Sequence, residues 1–241
     1  MRATNWEFKN RALIFGLLIS VAFALYFLDP QNVTAAFANA LEHRFGLNAD
    51  PTARFFFFIA TLLVALAALL RSWASAYLHA NVVYASDVKT AALVADGPYR
   101  FVRNPLYLAN VLLALGMGTM MSRAGFVLGV LAMVAFCYRL ILREESELQL
   151  TQTTHYTAYL HAVPRLWPSL RPRVPASAQR PNWKAGFKAE SWYWGFALAL
   201  LAFAITLQVK WFFLVTAVSV ALLMALSAAI ESKPRSRSSG V

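Results

Sequence analysis

Six apolar runs, each 16–20 residues long, constrain this chain more than any other feature: 12–28, 53–70, 106–121, 124–142, 192–209 and 211–230. At ~1.5 Å per helical residue, such runs reach or approach the ~30 Å hydrocarbon core of a bilayer. A water-soluble domain with 59% hydrophobic and only 14% charged residues would expose large adhesive patches. The pattern predicts an all-α, polytopic transmembrane bundle of about six spans, built as one membrane domain. Only residues 120–123 separate the third and fourth runs, so these two are expected to form an antiparallel hairpin.

The net charge of +11 suggests nucleic acid at first sight, but the basic residues lie in the gaps between apolar runs. Membrane topology and anionic headgroups account for that placement, and nucleic acid is not expected as a partner. With both termini cytoplasmic and six crossings, the outer loops carry Arg44, Arg54, Arg123 and Lys210, leaving eighteen of the 22 Lys and Arg on the cytoplasmic side. This asymmetry predicts an integral protein of a bacterial inner membrane with both termini inside. The chain divides into N-terminal spans with an interfacial segment (1–95), a core (96–170), a cytoplasmic connector (171–190) and a C-terminal hairpin with its tail (191–241). Cys137 is the only cysteine, so neither an intrachain disulfide nor redox chemistry is expected. The N-terminus lacks the small-residue cleavage pattern of a signal peptide.

Three polar islands interrupt the apolar pattern. In 71–95, Arg71, Trp73, Tyr77, His79 and Asn81 predict a helix end followed by an interfacial or re-entrant segment. In 96–107 the chain reads Asp-Gly-Pro-Tyr-Arg-Phe-Val-Arg-Asn-Pro-Leu-Tyr. Gly97-Pro98 is turn chemistry, and Asn104-Pro105 reads as a helix start with Asn104 as cap and Pro105 at the first helical position. The positive dipole end of that helix would lie beside Arg100 and Arg103, a place suited to a carboxylate or phosphate. The same arginines also suit simple anchoring of a span at its cytoplasmic end. In 143–190, Arg143, Glu144, Glu145 and Glu147 precede a Pro- and Arg-rich tract read as a loop or interfacial arm. If the third and fourth runs form a hairpin, Arg103-Asn104 and Glu144-Glu145 meet at one end of it.

These islands together resemble the isoprenylcysteine carboxyl methyltransferase and phospholipid methyltransferase superfamily of integral-membrane enzymes. The resemblance rests on Gly97-Pro98-Tyr99, Val102-Arg103-Asn104-Pro105-Leu106-Tyr107, Glu144-Glu145, Leu148, Tyr156, Tyr159, Val163-Pro164 and Pro168, and covers roughly residues 71–168. Asn104 stands where the prenylcysteine enzymes usually have His, Gln152-Thr153 replaces an expected Phe-Gly, and Ala74-Ser75-Ala76 occupies the place of a Gly-x-Gly. The resemblance implies S-adenosylmethionine as methyl donor and S-adenosylhomocysteine as product. It implies cofactor binding by Tyr99, Arg103, Asn104, Pro105, Tyr107, Glu144, Glu145 and Tyr156. Catalytic roles fall on Glu145, Arg143 and Tyr159. Arg103 suits the donor's carboxylate, either glutamate its ribose hydroxyls or ammonium, and the tyrosines the adenine. An amine acceptor would need a base, for which Glu145 or His155 is nearest. The acceptor is expected to be lipid-like and to enter from the bilayer, and membrane lipids are the expected partners. Carboxylate, amine and thiol acceptors all remain open.

Two readings compete. A membrane reductase of sterol-reductase-like architecture would bind NADPH, but Glu144-Glu145 and Arg-Asn-Pro-x-Tyr favour the methyl donor. A non-enzymatic lipid-binding or transport protein is disfavoured, since no inverted repeat is visible. His43, His79, His155 and His161 form no dense cluster and are read as structural or interfacial, so no metal is expected.

Overall fold

A computed structural model describes residues 1–84, 95–151, 153–177 and 179–231. These residues are all-α, with no sheet and one isolated bridge between Asn32 and Ser122. The helices are α1 (Asn5–Lys9), α2 (Arg11–Ala24), α3 (Val33–Phe45), α4 (Ala49–Tyr84), α5 (Pro105–Gly118), α6 (Arg123–Thr151), α7 (Thr153–Ala162), α8 (Trp183–Ala189), α9 (Ser191–Thr206) and α10 (Val209–Glu231). Tight 3-10 turns occupy Leu25–Phe27 and Gly97–Arg100.

The expectation of about six spans is corrected. Among the described residues, Ala49–Leu78 and Arg123–Leu150 are long and apolar enough to cross a membrane. A third qualifies only if Trp183–Ala189 and Ser191–Thr206, bent by 59°, count as one span. Local chemistry cuts two of the other apolar runs short. α2 gives way to the 3-10 turn ahead of Asp29-Pro30. α5 starts at a proline and ends after 14 residues at Gly118, a length of ~21 Å. An apolar run of the right length thus does not guarantee a helix of that length.

α4 corrects a second expectation. Residues 71–84 form no re-entrant segment but continue one 36-residue helix. No Gly or Pro occurs from 52 to 84 to break it, and its polar Arg71 finds a partner on another element. Residues 85–94 of the expected interfacial segment, and the tail from Ser232, lie outside the described residues. Residues 31–52, between the first two apolar runs, are mostly helical: Asn32 caps α3 by accepting from the Ala35 amide at 2.9 Å, and Gly46 closes it at φ 70°.

α4 is the axis of the bundle. α5 packs antiparallel to it, with Arg71 reaching the Leu106 carbonyl and Asn110 at one end. α9 is also antiparallel: Phe57 meets Phe203 edge-on at 4.7 Å, and Trp194 Nε1 donates to Ser72 Oγ at 3.1 Å. α8 presses onto α4 through Gly186, where a Cβ would lie 2.5 Å from the Ser72 carbonyl oxygen and 2.8 Å from the Ala76 amide nitrogen. α2 runs antiparallel to α6, with Phe15 edge-on to Phe136. Two larger cores result, one between α3, α4, α5, α9 and the start of α10, the other between α1, α2, α5 and α6, with a smaller cluster around α7. Outward faces stay apolar, as at Leu62 on α4 and Leu131 on α6, at 65% and 60% exposure, which suits acyl chains rather than water.

The α5–α6 hairpin expected from the short link at 120–123 is present, its turn running over 119–122, and the α2–α3 linker clasps that turn. Asn32 donates to the carbonyls of Thr119 and Met121, and Arg123 pairs with Asp29 at 3.0 Å. The hairpin brings the start of α5 and the far end of α6 to the same end of the molecule.

Candidate functional site

The turn 96–104 and the arm after α7 hold each other in place. Gly97 adopts φ 57°, a left-handed conformation, and the Tyr77 ring lies where its side chain would be, 2.3 Å from an ideal Cβ. Both facts exclude a larger residue. The arm then runs alongside. The Arg103 amide donates to the Pro164 carbonyl (2.9 Å), the Ser169 amide to Phe101 (2.9 Å) and the Arg173 amide to Arg100 (2.8 Å). Buried Asp96 accepts from the Ser177 amide at 2.9 Å and from its hydroxyl. A Pro-rich tract that forms no element of its own thus satisfies its backbone against another loop.

At 100° per residue, the end of α6 fans three charged side chains in three directions. Arg143 turns to α1, donating to the Ala3 carbonyl and to Asn5 and stacking 5.1 Å over the Phe8 ring. Glu144 turns to α5 and accepts from the Tyr107 hydroxyl at 2.7 Å. Glu145, 6% exposed, turns to the 96–104 turn and the arm. Its carboxylate lies 3.2 Å from Arg103 Nη1 and 2.9 Å from Arg165 Nη2. Asn104 Nδ2 is 3.4 Å from Glu145 Oε1 and donates to the Arg165 carbonyl at 3.0 Å. Asn104 therefore does not cap α5 with its side chain, as the sequence suggested; its amide serves the arm instead. Pro105 does open the helix.

Arg103 is incompletely satisfied. Its side chain is 8% exposed, yet Nε and Nη1 have no hydrogen-bond partner among the described residues, the Nη1–Glu145 approach being out of line. Buried guanidinium N–H groups left without acceptors are costly. Their position at the N-terminal end of α5 suits an anionic group.

Tyrosines roof the site. Tyr156 and Tyr159 are buried with ring centroids 6.1 Å apart, and they pack with Val163, Leu148 and Val174. Tyr159 donates to the Tyr99 carbonyl at 2.8 Å, tying α7 to the turn. Burial pushes the Tyr156 hydroxyl up to about 12 and raises those of Tyr99 and Tyr159 as well, so all three stay protonated near neutrality.

The structure therefore brings Arg103, Asn104 and Glu145 together, and sets Tyr107 on Glu144 and Tyr159 on Tyr99. It does not bring Arg143 to this group. Gln152 and the side chain of His155 lie outside the described residues. Two features escaped the sequence reading. Arg165 is the best-aligned partner of Glu145, with Nε at 3.0 Å from Oε2; its place directly after Val163-Pro164 was the available signal. The second is a buried network below the site. Arg71 pairs with Glu190 at 2.5 Å, reaches Asn110 Oδ1 at 2.8 Å and lies 4.4 Å over the Tyr193 ring; Ser75 also donates to Glu190. Nothing in the local sequence marks Glu190, 119 residues from its partner. Among the described residues no group of three His, Cys, Asp or Glu is placed to hold a metal ion.

Residues 55–151 match the phospholipid methyltransferase family, which bears out the resemblance over that segment. The cobalt-zinc-cadmium resistance protein CzcN of Cupriavidus metallidurans is 32% identical over 108 residues, 44% of this chain and 46% of that protein. The nickel-cobalt-cadmium resistance protein NccN of Alcaligenes xylosoxydans xylosoxydans is 24% identical over 132 residues, 54% of this chain and 62% of that protein. The chain thus spans about half the length of the curated relatives it matches. No solved structure matches it.

Proposed function

We propose, from the premise that residues 55–151 belong to the phospholipid methyltransferase family, that this protein transfers the methyl of S-adenosylmethionine to a lipid-like, membrane-partitioned acceptor. The observation that carries the reading is Arg103: two buried guanidinium nitrogens that find no hydrogen-bond acceptor among the described residues, beside a buried carboxylate, at the start of α5. That donor set fits the amino-acid end of the methyl donor. Arg103 would take its carboxylate, Glu145 its ammonium or ribose hydroxyls. When bound, the donor supplies a sulfonium methyl that is already electrophilic.

The chain's own residues then have to position and dry the site. Tyr156 and Tyr159, roofing it from α7, exclude water. Tyr107 holds Glu144 in a fixed orientation against α5, and an amine acceptor would lose its proton to Glu145, the nearest carboxylate of the Arg103 group. Arg143, turned toward α1, is assigned the task of docking the N-terminal helix rather than a catalytic step.

Calorimetry with S-adenosylhomocysteine tests the reading. Arg103→Ala should weaken binding more than tenfold, the equivalent of losing a charge-assisted hydrogen bond of ~1.5–3 kcal/mol. The same ligand should slow hydrogen exchange across 145–168. An unchanged dissociation constant in the variant removes Arg103 from the site. No binding by the native protein overturns the reading altogether. Labelled donor with a lipid extract, followed by mass spectrometry, identifies the acceptor.

A further inference from the structure

The arm that supplies Arg165 has a second, outward face. From 148 to 189 the chain contains no Asp or Glu but six basic residues. Trp167 is 86% exposed and Leu170 fully so, on a segment whose backbone is fastened to the 96–104 turn. A rigidly held, exposed Trp and Leu among arginines has no explanation as a surface in water.

Two helices fix the depth of this face. Counting ~1.5 Å per residue from Arg123, which pairs with Asp29 at the opposite end, a ~30 Å hydrocarbon layer ends near Leu142 on α6. On α4 the uncharged stretch between Arg54 and Arg71 spans ~26 Å and ends at the level of the Arg71–Glu190 pair. Tyr138 therefore lies ~6 Å inside the boundary on α6. Arg165 donates to its hydroxyl at 2.8 Å, with its guanidinium 5.5 Å from the ring centroid. The arm thus starts at the headgroup boundary, with Arg165 bent against a half-exposed tyrosine, and the exposed Trp167 and Leu170 follow it within five residues.

We propose that residues 165–173 form a docking surface for the headgroup layer of an anionic phospholipid bilayer. Trp167 and Leu170 are its apolar anchors; Arg171 and Arg173 bind lipid phosphate or carboxylate groups. Indole rings concentrate at this depth, and basic side chains beside them select negative lipid. Because Arg165 also holds Glu145, lipid docking and the order of the buried site are mechanically joined. The surface stands on placement and charge, and does not depend on which reaction the site performs.

The test uses the full chain in nanodiscs without any methyl donor. Hydrogen exchange at Trp167, Leu170 and Arg171 should slow in a bilayer of mixed phosphatidylglycerol and phosphatidylcholine relative to pure phosphatidylcholine. Lipids brominated near the headgroup should quench tryptophan emission, and Trp167→Phe should remove part of that quenching while the other indoles serve as internal background. Arg171→Gln should lower the preference for the anionic over the zwitterionic brominated lipid by about fivefold, the equivalent of ~1 kcal/mol per basic residue at such a surface. These residues are solvent-exposed, so the variants fold. Equal exchange in both bilayers overturns the proposal, as does quenching unaffected by Trp167→Phe. Slowing by a soluble polyanion in detergent to the same extent also overturns it, since the partner would then not be a bilayer.

Discussion

Consider removing Glu145. Its carboxylate lies 3.2 Å from Arg103 Nη1, and both side chains are 8% exposed. At an effective dielectric constant of ~20, two unit charges at this separation attract by ~5 kcal/mol before desolvation is counted. Most of that is offset by the cost of burying the pair, so the measurable quantity is the consequence of leaving one partner alone. Glu145→Ala strands Arg103, buried and already short of acceptors, and should cost ~3 kcal/mol of stability, the low end for a broken buried pair. Arg103→Ala should cost less, because Glu145 keeps Arg165 at 2.9 Å. Arg165 is 34% exposed and can turn to water, so its own loss should cost ~1 kcal/mol or less. Thermal unfolding in detergent reads these differences as melting shifts: about 6–12 °C for Glu145→Ala in a chain of this size. A double-mutant cycle with Arg103→Ala should give a coupling of ~1.5–3 kcal/mol. A coupling below ~0.5 kcal/mol, or an Arg103→Ala shift larger than that of Glu145→Ala, would refute the reasoning that a stranded buried guanidinium dominates.

Three further outcomes follow from the packing. Glu190→Ala leaves Arg71 buried among Asn110 and Tyr193 and should destabilise by ~3 kcal/mol; a melting temperature within error of the native protein would show the network to be dispensable. Gly186→Ala should cost ~1–3 kcal/mol by overpacking, because its Cβ would meet the α4 backbone at 2.5 Å, and it should separate α8 from α4 in hydrogen exchange over 72–76. Glu7 is held down to about 2, first by the Thr4 amide and then by Arg139, well below the ~4.3 of a free glutamate. A depressed acid stabilises the fold above its unfolded value and loses that contribution as pH falls through about 2. Protection of amides 3–9 relative to their intrinsic exchange should therefore fall between pH 4 and pH 2, and Glu7→Gln should leave it low and insensitive to pH over that window. A native-like acid profile in the variant would sever the link to Glu7.

The gaps between apolar runs were legible because polar and turn-forming residues act locally. Gly97-Pro98, Asn104-Pro105 and the short link at 120–123 specify turns and helix starts whatever surrounds them, and the hairpin that joins Arg103 to Glu145 follows from that link alone. Helix length was not legible. Hydropathy marks a residue as apolar, but whether its run continues as one helix depends on terminators and partners. α4 runs through Arg71, whose charge is met by Glu190, more than a hundred residues away; α5 stops after 14 residues although its apolar run goes on to Met121. The site divides in the same way. Its residue types and their order could be read along the chain, since chemistry follows side-chain identity. Which of Arg143, Glu144 and Glu145 faces the arm depends on the rotation of α6 against α1, α2 and α5. That rotation is set by packing between elements distant in sequence, and only the tertiary structure decides it.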